Sequence, residues 1–164
     1  MERQKTKKTL ASQSKKVEKL QEQLMIQTIY GGQIDLPEKV QDLNHVKDIN
    51  FQKMLAEGNK LFFRFTDFHC SSCIEEQAIL LKRFAEIVAS ENIVLLVSTN
   101  NIRNIKLVCK DLDLSFHLFN IDYGQISHPA ETAEFPYYFV TLTNQIKGSL
   151  IFIPDKGIPE LVEK

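Results

Sequence analysis

The sequence predicts an α/β domain in which helices flank a central mixed β-sheet. Two apolar, β-rich runs, Leu61 to Thr66 and Asn92 to Thr99, have the composition of buried strands, and each precedes a segment of helical period. The later segment PYYFVTLTNQIKGSLIFIP divides at Asn144 to Gly148 into two β-rich runs, which predicts an antiparallel hairpin. Strands that alternate with helices form parallel pairs and the hairpin adds antiparallel ones, so the sheet is predicted to be mixed.

The elements are predicted in a definite order. The long helix is expected because Ile74, Ala78 and Leu81 keep a helical period while charged residues occupy the other side. The full order is a short strand in QIDLP, a helix from about Asn50 to Ala56, the strand from Leu61 to Thr66, a long helix from Ser71, the strand from Asn92 to Thr99, a helix capped by Asn100 or Asn101, a strand from Ser115 to Ile121, a loop to Phe135, the hairpin, and a closing helix in DKGIPELVEK.

Composition bounds the class of protein. The chain has 164 residues, of which 43% are apolar and 25% charged, and its formal net charge is -1. This is the composition of a globular domain that does not need disulfides to fold. Because the charge is nearly neutral, we predict no nucleic-acid partner. No run of the sequence approaches the roughly 20 apolar residues of a membrane span.

Residues 1–32 are predicted to form a helical stem or a flexible tail ahead of the domain. This segment is basic near its start and repeats apolar residues at Leu10, Val17 and Leu24. Such a seam is too narrow to be buried alone, so a short coiled coil, a spacer and a frayed tail are all open interpretations. Two glycines end the segment, and the globular domain is predicted to span residues 33–164.

The stretch DFHCSSCIEEQ places Cys70 and Cys73 where a strand pattern gives way to a helical one. At the first turn of a helix, unpaired backbone N–H groups and the helix dipole favour negative charge, so we expect the Cys70 thiolate to be stabilised. Cys73 follows by three residues on the same face, close enough for a disulfide to close and open again. The pattern favours thiol-disulfide exchange. Cys109 continues an apolar helix face and is predicted to be buried.

The segment CSSCIEE resembles the membrane-anchored thioredoxin-like reductases of the TlpA and ResA type, in which a glutamate follows the second cysteine by three residues. The resemblance implies a three-layer thioredoxin-like fold. It also implies that Cys70 attacks the substrate disulfide, that Cys73 resolves the mixed disulfide, and that Glu76 influences proton transfer at the buried thiol. On a helix, Glu76 is close enough to Cys73 to share its face.

The same resemblance implies a docking face for substrate. Pro136, in EFPYYFV, stands where these proteins have a cis proline opposite the cysteine pair, and the backbone of Phe135 would then pair with an extended substrate segment. His69 replaces the tryptophan usual before the first cysteine. Arg64 replaces the buried acid found six residues before it in many thioredoxins, and a cation there needs a carboxylate partner or access to solvent. We expect His69, Phe135, Pro136 and Tyr137 to surround the docking face.

These observations predict a thiol-disulfide oxidoreductase that acts on protein thiols and disulfides. Of the possible directions, we favour reduction of substrate disulfides. The chemistry requires an upstream electron-donor thiol protein, and no cofactor or metal is predicted. The resemblance implies an extracytoplasmic location, in the bacterial periplasm, with a membrane tether upstream of this chain. A cytoplasmic location is the alternative.

Other interpretations of the cysteine pair are open. Half of a zinc site would need further ligands from the scattered histidines, which are His45, His69, His117 and His128. A copper-delivery module of the Sco type would want a CxxxC, one residue longer than the spacing here. A peroxiredoxin would have Pro and Thr shortly before its cysteine, and FRFTDFHC does not match that pattern. The last alternative is a thioredoxin-fold interaction domain whose disulfide is inert.

Overall fold

The computed structural model describes residues 2–30, 34–45, 47–132, 135–143 and 147–154. The helices are α1 Glu2–Tyr30, α2 Phe51–Ala56, α3 Ser71–Ala85 and α4 Ile102–Asp111, and short 3-10 helices span Ser90–Asn92 and Pro129–Thr132. The strands are β1 Ile34–Asp35, β2 Lys39–Asp42, β3 Lys47–Asn50, β4 Lys60–Thr66, β5 Ile93–Ser98, β6 His117–Asn120, β7 Tyr137–Thr141 and β8 Lys147–Phe152. The predicted closing helix lies outside the described residues.

All of these strands belong to one mixed sheet, in the order β1-β8-β7-β4-β5-β6-β2-β3. β4 pairs in parallel with β5, and β5 in parallel with β6. β7 pairs antiparallel with β4 and with β8, which is the predicted terminal hairpin. The predicted alternation of strands and helices followed by a hairpin is therefore confirmed.

The two faces of the sheet carry separate apolar clusters. Because side chains alternate along a strand, Phe62 of β4 joins the cluster that α2 covers, whereas Phe63 and Phe65 join the cluster that α3 and α4 cover. The central strands are buried on both sides, as every residue of β5 is buried. Burying a phenylalanine side chain contributes on the order of 2 kcal/mol, so the paired strands at the centre form the most stable part of the domain.

The antiparallel pair of β2 and β3 at one edge of the sheet is an addition that the apolar pattern did not indicate. Its residues are mostly polar, and β3 is mainly exposed. The turn after β2 is held by Asp42, whose carboxylate accepts the backbone N–H of Asn44 at 2.9 Å and contacts Nδ1 of His45 at 2.7 Å. Burial raises the pKa of Asp42, but the hydrogen bonds to His45 and Asn44 together lower it by more, so the pKa lies below its usual value.

The N-terminal segment Glu2–Tyr30 is one continuous helix, α1. Val17, Leu20 and Leu24, which form its apolar seam, are exposed. α1 contacts β8 and the 3-10 helix at Pro129–Thr132. The division into a stem and a domain, and the coiled-coil interpretation, stay predictions. No helix in the described part of the chain is long and apolar enough to cross a membrane.

Cys109 lies on the inner face of α4, where it is buried in the same cluster as Ile105. Burial raises the pKa of the Cys109 thiol to about 11, because the thiolate is disfavoured away from water. The prediction that Cys109 is a core residue is confirmed. It is also the one free cysteine of the chain, since Cys70 and Cys73 form a disulfide.

We therefore expect Cys109 to resist thiol reagents in the native, oxidised protein. At pH 8 a chromogenic disulfide reagent should titrate almost no thiol in buffer and about one thiol per chain in denaturant, because only unfolding exposes Cys109. Reaction of the native protein at the rate of an exposed thiol would contradict the buried position.

Candidate active site

The cysteine pair lies at the junction between β4 and α3. β4 ends at Thr66, a turn follows, and Cys70 is the N-cap of α3. Its Sγ accepts the backbone N–H of Cys73 at 3.2 Å, and Ser72 Oγ lies 3.4 Å from the same sulfur. Cys70 and Cys73 form a disulfide with 5.2 Å between their Cα atoms. The predicted position of Cys70 at the start of the long helix is confirmed.

The two sulfur-bearing residues differ in their environments. Cys70 is exposed, whereas Cys73 is only 7% exposed. After reduction, the hydrogen bond from the Cys73 N–H and the positive end of the α3 dipole would both stabilise a thiolate on Cys70. Cys70 is therefore suited to attack a substrate, and the buried Cys73 is suited to attack Cys70 in turn.

The polar residues that follow Cys73 on α3 are on different sides of the helix. Glu76, the predicted proton-transfer residue, is exposed. Gln77 is buried, with 8% of its surface exposed. The helical position of Glu76 is as predicted, and its role stays a prediction. Gln77 was not singled out by the sequence, because a glutamine between Glu76 and Ala78 looks like part of a solvated helix face.

His69 is held against the end of β4. Its Nδ1 accepts the backbone N–H of Thr66 at 3.0 Å, and the backbone N–H of His69 donates to the Thr66 carbonyl at 3.2 Å. His69 therefore fixes the turn before Cys70.

The turn is also tied to the segments that follow β5 and β6. Asp67 Oδ2 accepts the backbone N–H of Asn100 at 3.2 Å and the hydroxyl of Tyr123 at 3.1 Å. Burial and the neighbouring Asp67 raise the pKa of Tyr123. The ring of Tyr123 also lies 5.3 Å from that of Phe68, which is 83% exposed. These contacts hold an exposed aromatic pair two residues from Cys70.

Arg64 is only 1% exposed, and all of its N–H groups have acceptors. Its Nε and one terminal nitrogen donate to the two carboxylate oxygens of Glu131, at 2.9 and 2.7 Å. The terminal nitrogens also donate to Ser98 Oγ at 2.8 Å and to the carbonyls of Phe65 and Leu96. Such a bidentate pair satisfies a buried guanidinium. Of the partners that the sequence allowed for Arg64, the carboxylate of Glu131 is the one it has.

The Arg64–Glu131 pair continues to β7. The Tyr137 hydroxyl donates to Glu131 Oε1 at 2.6 Å, and burial together with this carboxylate raises the pKa of Tyr137 well above its usual value. Glu131 also lines an open cavity of about 450 Å³ beside the cysteine turn. Other residues that line this cavity are Thr66, Phe68, His69, Tyr123 and Ile126.

The residues predicted to surround the docking face differ from expectation in two respects. The Phe135–Pro136 peptide bond is trans, since the described residues contain no cis peptide, so the predicted cis bond is wrong. Tyr137 is buried and bound to Glu131, so its side chain is not part of a surface. Pro136 is buried, and Phe135 is half-buried and packs against the core. A substrate-binding role for His69, Phe135 and Pro136 stays a prediction.

Within the described ranges, no three His, Cys, Asp or Glu side chains converge to hold a metal ion. The metal alternatives therefore have no ligand set in that part of the chain. The Glu131 pair and the Phe68–Tyr123 pair were missed because their members are far apart in sequence. The one signal was Arg64 itself, because a cation within a run of buried phenylalanines requires a distant carboxylate.

The buried ion pair makes a prediction about stability. Glu131→Ala would leave the guanidinium of Arg64 buried without its carboxylate, which we expect to lower the free energy of unfolding by about 3 kcal/mol. Urea denaturation measures the change. Glu91→Ala is a matched control, because it removes an exposed glutamate from the other 3-10 helix and should change stability by less than about 0.5 kcal/mol. Equal stability of the two variants would contradict the assigned pair.

Several solved structures with a similar fold are described as thiol-disulfide oxidoreductases or thioredoxin-like proteins. A secreted disulfide oxidoreductase from Mycobacterium tuberculosis has 13% identity and a TM-score of 0.53, with 72% of this chain and 84% of that chain covered. The thioredoxin domain of a thiol-disulfide oxidoreductase from Bacteroides vulgatus has 10% identity and a TM-score of 0.56, with 81% and 95% covered.

A third similar structure is a thiol:disulfide interchange protein from Chlorobium tepidum, with 13% identity and a TM-score of 0.55, where 76% of this chain and 88% of that chain are covered. No protein-family model matches the chain, and no curated protein matches it either. At these identities the similarity is one of fold. The predicted three-layer α/β architecture is confirmed, and the chain has a thioredoxin-like fold.

Proposed function

We propose that this protein is a thiol-disulfide oxidoreductase that acts on protein disulfides through Cys70 and Cys73, as a reductase. The observation that carries the proposal is the asymmetry of the pair at the start of α3, with an exposed Cys70 capping the helix and a buried Cys73 bonded to it. The thioredoxin-like fold supports it, because three structures that share this fold are described as proteins of disulfide exchange.

The proposed reaction has two exchange steps. The Cys70 thiolate attacks one sulfur of a substrate disulfide, which forms a mixed disulfide and releases the other substrate sulfur as a thiolate that takes up a proton. Cys73 then loses its proton and attacks Cys70 Sγ, which re-forms the Cys70–Cys73 disulfide and releases the second substrate thiol. Two electrons pass to the substrate. An upstream dithiol protein returns two electrons and two protons to the pair.

Glu76 is the proposed proton-transfer residue of the second step. Its carboxylate lies on α3, one turn after Cys73, and it is exposed. A carboxylate in contact with water can accept a proton as the Cys73 thiol ionises and pass it to solvent. This role rests on the position of Glu76 within CSSCIEE and on the resemblance that the motif carries.

The cavity beside the cysteine turn is the proposed docking site for substrate. His69, the residue before Cys70 in the sequence, lines this cavity. The exposed ring of Phe68 and its neighbour Tyr123 line it as well. An aromatic surface next to the nucleophile suits an extended polypeptide that carries apolar side chains near its disulfide. Phe135 and Pro136 would provide backbone contacts to the same segment, without the cis bond.

The proposed location is extracytoplasmic, in the bacterial periplasm, with α1 as a spacer from a membrane tether upstream of the chain. One structure with a similar fold comes from a secreted disulfide oxidoreductase, which supports this location.

The roles of the two cysteines are separable by substitution. Cys73→Ser should accumulate a covalent mixed disulfide between Cys70 and a test substrate such as insulin, because the resolving thiol is missing. Cys70→Ser should form no such adduct and should lower the rate of insulin reduction by dithiothreitol to the uncatalysed rate. Non-reducing gels and mass spectrometry measure the adduct.

Cys109→Ser is the control for both cysteine variants, since Cys109 is buried, and it should keep the full rate. An adduct on Cys73 in the Cys70→Ser variant would contradict the assigned order of attack. Wild-type protein that does not accelerate the reduction of insulin would contradict the enzymatic proposal as a whole.

The docking site predicts an effect on substrate binding. Phe68→Ala removes an exposed aromatic ring beside Cys70 and should raise KM for a peptide disulfide by about fivefold, because roughly 1 kcal/mol of apolar contact is lost. The turnover number should stay unchanged. Ile87→Ala removes an equally exposed apolar side chain near the far end of α3 and should leave KM unchanged. Equal values of KM for the two variants would contradict this docking site.

A further inference from the structure

Gln77 presents a buried acceptor one helical turn beyond Cys73. Its Oε1 is buried and has no hydrogen-bond partner among the described residues. Its backbone carbonyl accepts the hydroxyl of Tyr138 at 3.0 Å, so the helix is fixed in place at this residue. An acceptor that is buried without a donor is unfavourable, so such a group in a native structure calls for an explanation, and a redox role is one of those known.

Gln77 lies on the same buried face of α3 as Cys73. Residues four apart on a helix lie on one face, and helical side chains lean toward the N-terminus, so we expect the Gln77 side chain to cover the turn that contains Cys73. Both residues belong to the buried face of α3, and the neighbours Ile74 and Ala78 are apolar. In the disulfide, Cys73 Sγ carries no proton and offers Gln77 no donor.

We propose that Gln77 is a positioning residue whose Oε1 accepts a hydrogen bond from the Cys73 thiol only when the pair is reduced. The inference rests on the proposed function, because it concerns the same redox couple. When the Cys70–Cys73 disulfide is reduced, a dithiol such as dithiothreitol gives up two electrons and two protons and becomes a cyclic disulfide. The Cys70–Cys73 bond breaks, each sulfur gains a proton, and the proton on Cys73 is the one donated to Gln77.

This hydrogen bond favours the reduced form over the oxidised form. A thiol is a weak donor, so its contribution falls in the lower part of the range for protein hydrogen bonds, which corresponds to a factor of about five in the redox equilibrium constant. For a two-electron couple, a factor of five is about 20 mV. Gln77 therefore makes the pair easier to reduce.

The test compares Gln77→Met with Leu81→Met, a substitution at a buried, apolar position of the same helix. Each protein is equilibrated with reduced and oxidised dithiothreitol, and its thiols are trapped and counted by mass spectrometry. Gln77→Met should shift the equilibrium about fivefold toward the disulfide. Leu81→Met should leave it unchanged. Gln77→Leu, which also removes the amide, should shift the equilibrium in the same direction as Gln77→Met.

A second measurement separates this role from a purely structural one. Urea unfolding of the oxidised and the reduced forms gives two stabilities for each protein. A packing role of Gln77 would change both by the same factor. The proposed hydrogen bond exists in the reduced form only. Gln77→Met should therefore lower the folding equilibrium constant of the reduced form by about five times more than that of the oxidised form.

The inference is overturned by an unchanged redox equilibrium, by a shift toward the reduced form, or by equal changes in the two stabilities. These failures leave the proposed function intact as long as the wild-type pair titrates reversibly. If the wild-type pair shows no reversible couple, the proposed function and this inference both fail.

Discussion

The buried guanidinium of Arg64 is the constraint on which the arrangement around the cysteines depends. A full charge at the centre of the sheet is tolerated only if every donor has an acceptor, and here the acceptors come from β4, β5 and the 3-10 helix at Pro129–Thr132. Because Glu131 also binds Tyr137, the same charge fixes the loop between β6 and β7 against the sheet. That loop forms one wall of the cavity, and the turn with His69 forms another.

The two cysteines differ in exposure because α3 begins directly after Cys70. Cys70 precedes the first helical residue, so its sulfur meets solvent on one side and the Cys73 N–H on the other. Cys73 lies within the first turn and faces the core. One sulfur can meet a substrate and the other can meet only its partner, which is the division of labour that two-step exchange requires. In the proposed role of Gln77, its buried Oε1 accepts a hydrogen bond from the proton that the Cys73 thiol carries only after reduction.

Much of this could be predicted from the sequence, for identifiable physical reasons. The central strands, the long helix and the hairpin have strong apolar periods, and Asn101 caps α4 as its residue type suggests. The hairpin of β2 and β3 escaped prediction because its strands are short and mainly polar. The pairing of Arg64 with Glu131 was not predicted because the two residues lie 67 positions apart in the sequence. The trans bond before Pro136 was not predicted because the reductases that the sequence resembles have a cis bond there. Local periodicity predicts elements, whereas a buried charge is satisfied by tertiary contacts.

The most direct test of the account is the reduction potential of the wild-type Cys70–Cys73 pair, measured by equilibration in dithiothreitol or glutathione buffers with thiol trapping and mass spectrometry. We predict a reversible two-electron couple on the order of -270 mV, the value of thioredoxin-type reductases. A reversible couple near -120 mV would contradict the reductase direction and indicate an oxidase. A pair that shows no reversible couple in either buffer would mean that this disulfide does not exchange.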